Sequence, residues 1–292
     1  MRSIDLPDFN RRDFTDRFGP WALIAGASEG SGACYARQLG AMGFNLVLVS
    51  RRHEALNVLG AEIAGRHQVS YRAVVQDLKV ESAGAELDQR TADLDVGLFI
   101  YNAGTDGAGN SFLATPVEQS HGTLIMNTRT VTDSVHAFGN RFKARGRGGI
   151  ILMSSGAGLG GQPWLAMYSA TKAFEINLAE SLWAEFQDIN VDILAMVAPG
   201  MDTPALRRNI QGSNFDMGTT YNPDDVVQMA LARLGHAPIV VIPDGPKEEN
   251  LARVEADRIE RLILLAEWSK SYTSGAAGYV VFSMRRSRPP VR

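Results

Sequence analysis

The sequence has one cysteine, no long apolar run and no excess of basic charge. Cys34 cannot form an internal disulfide, which indicates a reducing compartment. Every apolar run is far shorter than the ~20 residues of a membrane-spanning helix, and residues 1–10 lack the apolar segment of a signal peptide. The 29 basic and 32 acidic residues leave a net charge of −3, so nucleic acid is not an expected partner. We expect a cytoplasmic protein without a membrane span.

Short runs rich in Val, Ile and Leu alternate with amphipathic stretches along the chain. Such runs are typical of strands in a parallel sheet that helices cover on both faces. The predicted strands are residues 21–25, 46–50, 69–75, 96–101, 150–154, 191–197 and 238–242. Helices are predicted between them, including residues 31–42 and 53–64. This alternation predicts an α/β fold with one doubly wound, seven-stranded, mostly parallel sheet and helices on both faces.

No repeat or linker interrupts this alternation. Residues 1–292 are therefore expected to form a single domain, with a short N-terminal extension (1–20) and a C-terminal helical extension (246–292). Residues 202–222 follow a strand end and show little pattern, which predicts a lid over an active site. The Arg-rich tail is expected to be solvated, and docking onto an acidic surface remains the alternative.

The first predicted strand runs directly into a glycine-rich turn and then a helix. Gly26, Gly30 and Gly32 allow positive φ and close backbone approach, while the helix N-terminus offers N–H groups to a pyrophosphate. The intervening cofactor-contact candidates are Ser28, Glu29 and Ser31. A turn that needs glycine for its geometry alone is the simpler alternative. The pattern favours a dinucleotide site.

Two arginines, Arg51 and Arg52, follow the second predicted strand. Dinucleotide folds that bind NAD(H) carry an acidic residue there for the ribose 2′-hydroxyl, whereas arginine accommodates a 2′-phosphate. Guanidinium groups pair well with phosphate. The sequence therefore favours NADP(H) over NAD(H), unless the two arginines only begin a solvated helix.

The same turn also fits the G-x-S-x-G nucleophile elbow of hydrolases, with Ser28 as the nucleophile. That fold needs several strands before the elbow and a histidine after it. Only one predicted strand precedes the turn, and the last histidine, His236, has no distinctive context. The hydrolase hypothesis is therefore the weaker one.

Residues 21–242 resemble the short-chain dehydrogenase/reductase family through several motifs in order. The resemblance implies a Rossmann-type fold, NAD(P)-dependent oxidoreductase activity, and a homodimer or homotetramer formed through helices around residues 118–143 and 168–187. Its cofactor motifs also imply a contact from Thr203 to the nicotinamide, although Thr203 comes one residue earlier than in the commonest family pattern. The matching motifs are Gly26-x-x-x-Gly30-x-Gly32, Asp77-Leu78, Asn102-Ala103-Gly104, Tyr168-x-x-x-Lys172 and Pro199-Gly200.

The resemblance also implies a catalytic set of Asn127, Ser155, Tyr168 and Lys172. Tyr168 and Lys172 project from one helix face because they lie four residues apart. Tyr168 is expected to act as acid and base, since the Lys172 ammonium stabilises a phenolate whose ordinary pKa is ~10. Ser155 would hydrogen-bond the carbonyl oxygen. Lys172 would also bind the nicotinamide ribose, and Asn127 would hold a proton-relay water.

Trp164 and Met201 fall in stretches that line the substrate cleft of the resembling family, and Ser154, next to Ser155, is a candidate for a cofactor or substrate contact. We therefore expect hydride transfer between NADP(H) and a ketone or secondary alcohol with a sizeable apolar part, of the steroid, aromatic ketone or 3-oxoacyl type. The alternative is a non-catalytic NADP-binding regulatory or structural protein of the same fold. The histidines show no metal-ligand spacing, so no metal is expected.

Overall fold

The computed structural model describes residues 2–104, 111–162, 164–211, 217 and 220–242. Seven strands form one sheet in the order β3-β2-β1-β4-β5-β6-β7. Each neighbouring pair of strands is parallel. The strands are β1 Trp21–Ala25, β2 Asn45–Ser50, β3 Tyr71–Val75, β4 Val96–Tyr101, β5 Gly148–Ser155, β6 Val191–Ala198 and β7 Ile239–Val241. The doubly wound parallel fold predicted from the sequence is confirmed.

Helices cover both faces of the sheet. Because successive strand residues point to opposite faces, alternate residues pack into two separate apolar clusters, one under each layer of helices. One cluster includes Leu39 and Ile63, and the other includes Phe138 and Ile176. A π-helical turn, Ile125–Arg129, joins α5 to α6. The α-helices are α1 Arg11–Phe18, α2 Gly30–Ala41, α3 His53–His67, α4 Ala83–Gln89, α5 Val117–Leu124, α6 Thr130–Arg145, α7 Ala166–Glu185, α8 Pro204–Asn209 and α9 Pro223–Arg233.

The strand order reverses direction between β1 and β4, which lie side by side at the centre of the sheet. The turns that follow the strands therefore meet at the carboxyl edge, where ligands bind in sheets of this type. Asn102, Ser155 and Pro199 follow or end β4, β5 and β6 at this edge. The topology gathers the predicted motifs in one place.

Strand β5 begins two residues earlier than predicted, at Gly148. A Cβ at Gly148 would lie 2.2 Å from Cγ of Phe142, and one at Gly149 would lie 2.8 Å from Cε1 of Phe18. The strand therefore enters the sheet through two positions that admit only glycine. The predicted lid holds helix α8, and its residues 212–216, 218 and 219 lie outside the described residues, as does the predicted C-terminal helix.

Candidate active site

The glycine-rich turn after β1 is fixed by the loop that follows β4. Gly26 has φ +86°, and a Cβ there would lie 2.8 Å from the backbone nitrogen of Ala103. A Cβ at Gly32 would lie 2.0 Å from the Gly26 carbonyl oxygen. The Asn102 side chain donates from Nδ2 to that carbonyl at 3.1 Å and accepts from the Ser31 hydroxyl at 2.7 Å. The two loops therefore form one closely packed backbone cradle.

A cluster of charged groups lies on this turn. Arg52 donates from Nη2 to the Ser28 hydroxyl and from Nη1 to the Glu29 carboxylate, both at 2.8 Å. Arg208, on α8, also donates to Glu29. These contacts, that of Arg208 foremost, hold the pKa of Glu29 below its usual range against the opposing effect of burial. Arg51 is exposed, and its side chain has no ion pair within the described residues.

The hydroxyl of Ser28 accepts hydrogen bonds from the Arg52 guanidinium. A nucleophilic serine needs a neighbouring base that takes its proton, and a guanidinium has no acceptor atom. The described residues therefore place a cation at the position that a hydrolase needs for a base. This contact disfavours the hydrolase alternative.

Tyr168 and Lys172 lie one turn apart near the start of α7, a helix rich in Ala, Glu and Leu. Tyr168 is half-buried, whereas the Lys172 side chain is 2% exposed. The Lys172 Nζ lies 5.8 Å from the centroid of the Tyr168 ring. It donates at 2.8 Å to the Met153 carbonyl on β5 and to both carboxylate oxygens of Glu175. A Cβ at Gly104 would lie 2.6 Å from this nitrogen, so a side chain there would displace the ammonium.

The two serines at the end of β5 have different surroundings. Ser155 is half-buried, and its hydroxyl accepts from the backbone N–H of Ala157 at 3.2 Å, at the start of a short 3-10 helix. Ser154 is 4% exposed and donates its hydroxyl to the Lys172 carbonyl at 2.8 Å. The Ser154 hydroxyl thus joins the end of β5 to the backbone of α7.

Asn127 lies at the π-helical turn and is fully buried. Its Nδ2 donates to the Thr171 hydroxyl at 3.0 Å, while its Oδ1 has no donor among the described residues. Tyr101 donates its hydroxyl to the Met126 carbonyl at 2.6 Å in the same turn. Single π-turns are frequent at functional sites. The distortion directs the Asn127 side chain toward the helix that carries Tyr168.

The remaining predicted cofactor contacts lie at the same edge of the sheet. The Asp77 carboxylate accepts from a backbone N–H two residues later at 3.0 Å. The Leu78 side chain is buried. Pro199 and Gly200 follow β6 directly. Thr203 caps α8 through its hydroxyl, and its methyl group would lie 3.2 Å from a Cβ at Gly30. Thr203 thus lies against the glycine-rich turn at Gly30.

Apolar and polar side chains together line a groove beside Tyr168, the polar ones including Thr115, Gln119 and Ser120. Trp164 and Phe112 both line it, and their side chains are 69% and 57% exposed. Trp164 has φ +62°, an uncommon backbone conformation for a bulky residue. Met201 is half-buried and packs against the core on the other side of the sheet from α7. An exposed apolar rim next to polar groups is typical of a ligand site.

Two residues of the site were missed by the sequence reasoning. Glu175 lies seven residues after Tyr168, so helical spacing would have placed it on the same face. In the sequence, however, it is indistinguishable from the exposed glutamates of an amphipathic helix. Arg208 reaches Glu29 across 179 residues of chain, a contact with no local sequence signal.

In the part of the chain that the structure describes, no group of three or more His, Cys, Asp or Glu side chains is arranged to hold a metal ion. None of the described helices is both long enough and apolar enough to span a membrane.

A doubly wound parallel sheet with a glycine-rich turn and a Tyr-x-x-x-Lys helix at its carboxyl edge is the architecture of a dinucleotide-dependent oxidoreductase. A family model described as short chain dehydrogenase matches residues 20–262. The chain belongs to the short-chain dehydrogenase family and is an oxidoreductase of that family.

Three known proteins illustrate the similarity. A 7beta-hydroxysteroid dehydrogenase of Mediterraneibacter gnavus is 31% identical over 223 residues, covering 75% of this chain and 84% of the relative. A very-long-chain 3-oxoacyl-CoA reductase of Meyerozyma guilliermondii is 33% identical over 241 residues, covering 79% of this chain and 69% of the relative. The solved structure of a short-chain dehydrogenase from Sphingobium yanoikuyae in complex with NADPH has a TM-score of 0.72 and 24% identity, covering 92% of this chain and all (100%) of that one.

Proposed function

We propose that the protein interconverts a ketone and a secondary alcohol that carry a sizeable apolar part, with NADP(H) as the cofactor. The observation that carries this proposal is the buried Lys172 ammonium, 5.8 Å from the ring of a half-buried tyrosine beside a groove lined in part by Trp164 and Phe112. A fixed cation next to an accessible phenol favours the phenolate and makes the phenol a better acid and base near neutral pH.

The residues at the carboxyl edge fit a dinucleotide. Gly26 and Gly32 let the turn pack directly against the Ala103 backbone and the Gly26 carbonyl, which places the N-terminus of α2 and its N–H groups where a pyrophosphate can bind. Gly104 keeps the Lys172 Nζ uncovered by a side chain. Arg52 on the glycine-rich turn supports recognition of a 2′-phosphate. Bound NADPH supplies the hydride, which no protein side chain can provide.

In this proposal each polar side chain has a separate task. Tyr168 donates a proton to the substrate oxygen during reduction and removes it during oxidation. Ser155 donates a hydrogen bond to the same oxygen, where negative charge develops. Lys172 stabilises the Tyr168 phenolate, and the uncommitted Oδ1 of Asn127 accepts from the group that resupplies the proton.

The apolar part of this groove supports a substrate with rings or a long chain. Trp164 and Phe112 present large exposed apolar surfaces beside Tyr168. A 7beta-hydroxysteroid dehydrogenase and a very-long-chain 3-oxoacyl-CoA reductase are both relatives at above 30% identity. We therefore place a steroid or a 3-oxoacyl group ahead of an aromatic ketone.

A panel of steroid ketones, 3-oxoacyl-CoA esters and aromatic ketones, each with NADPH and with NADH, tests the proposal. We expect NADPH oxidation with at least one of the bulky classes and little with acetone, which has no apolar part to fill the groove. Equal rates with acetone and the bulky ketones would contradict the role of the groove. Tight NADPH binding without turnover of any ketone would favour the non-catalytic alternative.

Arg52→Ala should weaken NADPH binding about 10- to 100-fold and leave NADH binding almost unchanged, because a charge-assisted hydrogen bond is worth about 1.5–3 kcal/mol. Fluorescence titration with both cofactors measures this difference. Arg37→Ala, which removes an exposed arginine paired with Glu62, is the matched control. Equal losses for NADPH and NADH in Arg52→Ala would show that Arg52 only shapes the turn.

We also propose a homo-oligomer, either a dimer or a tetramer, as the family resemblance implies. Supporting this, α6 and α7 line a shared groove in which Leu178, Leu182 and Ile189 lie beside polar side chains.

A further inference from the structure

Glu175 is a buried acid that the proposed reaction does not use. Its side chain is 1% exposed, and both of its carboxylate oxygens accept from the Lys172 Nζ at 2.8 Å. Tyr168, Lys172 and Glu175 follow one another at spacings of four and three residues, so one face of α7 carries all three. The lysine that faces Tyr168 is thus also one half of a buried ion pair.

The ion pair occupies the donors of the lysine. An ammonium group has three N–H donors, and three acceptors lie at 2.8 Å from Nζ, namely the Met153 carbonyl and the two Glu175 oxygens. Any further acceptor for Lys172 must therefore displace one of these contacts. Glu175 controls both the position of the ammonium and its freedom to bind another group.

The charge of the pair is also balanced. A buried carboxylate next to the ammonium offsets its positive charge, so a group a few ångströms away experiences a weaker field than an isolated lysine would produce. Burial raises the pKa of Glu175 to about 7, while the charge of Lys172 and its hydrogen bonds oppose that rise. The carboxylate is therefore ionised at the alkaline pH at which a phenol titrates.

We propose that Glu175 is a positioning residue that acts as the counter-ion of Lys172 and limits how strongly the ammonium stabilises the Tyr168 phenolate. This inference rests on the proposed function, in which Tyr168 is the acid and base. Removal of the Glu175 charge, with Lys172 still held by Met153, strengthens the positive field at Tyr168.

The other groups that face the pair are few. From α7 itself, the group beside the pair is Tyr168. From β4, Tyr101 interacts electrostatically with Glu175, but its hydroxyl donates to the Met126 carbonyl and burial raises its pKa well above the usual value. The π-helical turn contributes Asn127, which is neutral. Within the described residues, Glu175 is thus the charged group in contact with Lys172.

Glu175→Gln tests the inference because it removes the charge and keeps an oxygen that accepts from Lys172. The titration of Tyr168 is read from phenolate absorbance as the difference between each protein and its Tyr168→Phe counterpart, without any substrate. We expect the pKa of Tyr168 to fall by about one unit in Glu175→Gln. Glu180→Gln, which changes another buried glutamate of α7, should leave the titration of Tyr168 unchanged.

An unchanged or raised pKa of Tyr168 in a folded Glu175→Gln variant would overturn the inference. If that variant does not fold, carboxyl NMR of the ¹³C-labelled wild-type chain decides. One glutamate should then titrate near neutral pH, and its pKa should rise further in Lys172→Met. The absence of such a glutamate would also overturn the inference. Both readouts are independent of turnover, so a substrate panel without activity would leave this result intact.

Discussion

Tyr168→Phe should lower kcat/KM by about 10²- to 10⁴-fold, the usual contribution of a positioned general acid. Phenylalanine preserves the ring that faces Lys172 and removes the hydroxyl that transfers the proton. The binding of NADPH should be retained, since the glycine-rich turn and Arg52 are untouched. Steady-state kinetics on the best ketone of the panel and an NADPH fluorescence titration measure the two quantities.

Tyr71→Phe is the matched control, because Tyr71 is a half-buried tyrosine on β3 whose ring packs against Gly60. It should retain wild-type kcat/KM. A Tyr168→Phe enzyme within a few-fold of the wild type would show that another group transfers the proton. Loss of NADPH binding in this variant would instead indicate that the hydroxyl supports the cofactor site.

Lys172→Met should destabilise the folded chain by about 3–5 kcal/mol at alkaline pH, since it leaves the Glu175 charge buried and unpaired. The folded pKa of Glu175 is raised from 4.5 to about 7, so the folded state binds more protons than the unfolded state between those values. Stability therefore falls as the pH rises through that window. Without the ammonium the folded pKa rises further, so the loss should be smallest near pH ~5 and largest near pH ~8 in urea denaturation.

The double variant Lys172→Met/Glu175→Met is the matched control for this loss. It replaces the buried pair by apolar side chains, a change that is often neutral or stabilising. We expect most of the lost stability to return and the pH dependence to disappear. A Lys172→Met variant that is equally stable at both pH values would show that the folded-state pKa of Glu175 is not raised above its unfolded value.

The strands could be predicted because, except in β3 at the edge of the sheet, most of their residues are buried. β1 and β4 begin and end at the predicted residues. β5 was predicted too short, because Gly148 and Gly149 carry no apolar signal although Phe142 and Phe18 pack directly over them. A glycine can occur in a crowded strand as well as in a turn, and the sequence alone does not distinguish the two.

The motifs of the site follow from spacing, whereas its internal contacts depend on tertiary packing. Tyr168 and Lys172 share a helix, so their relation is visible in the sequence. The orientation of Ser154 toward the helix backbone and the π-turn at Asn127 arise only when β5, α6 and α7 pack together. The role of Glu175 was hidden for the same reason, since burial and not residue type gives it significance.

Transfer of deuterium from the reduced nicotinamide carbon of labelled NADPH to a ketone of the panel tests the central claim most directly. Mass spectrometry of the product should find one deuterium on the new alcohol carbon with wild-type enzyme and almost none with Tyr168→Phe. A protein that binds NADPH but transfers no deuterium to any steroid, 3-oxoacyl or aromatic ketone would contradict the proposed reaction.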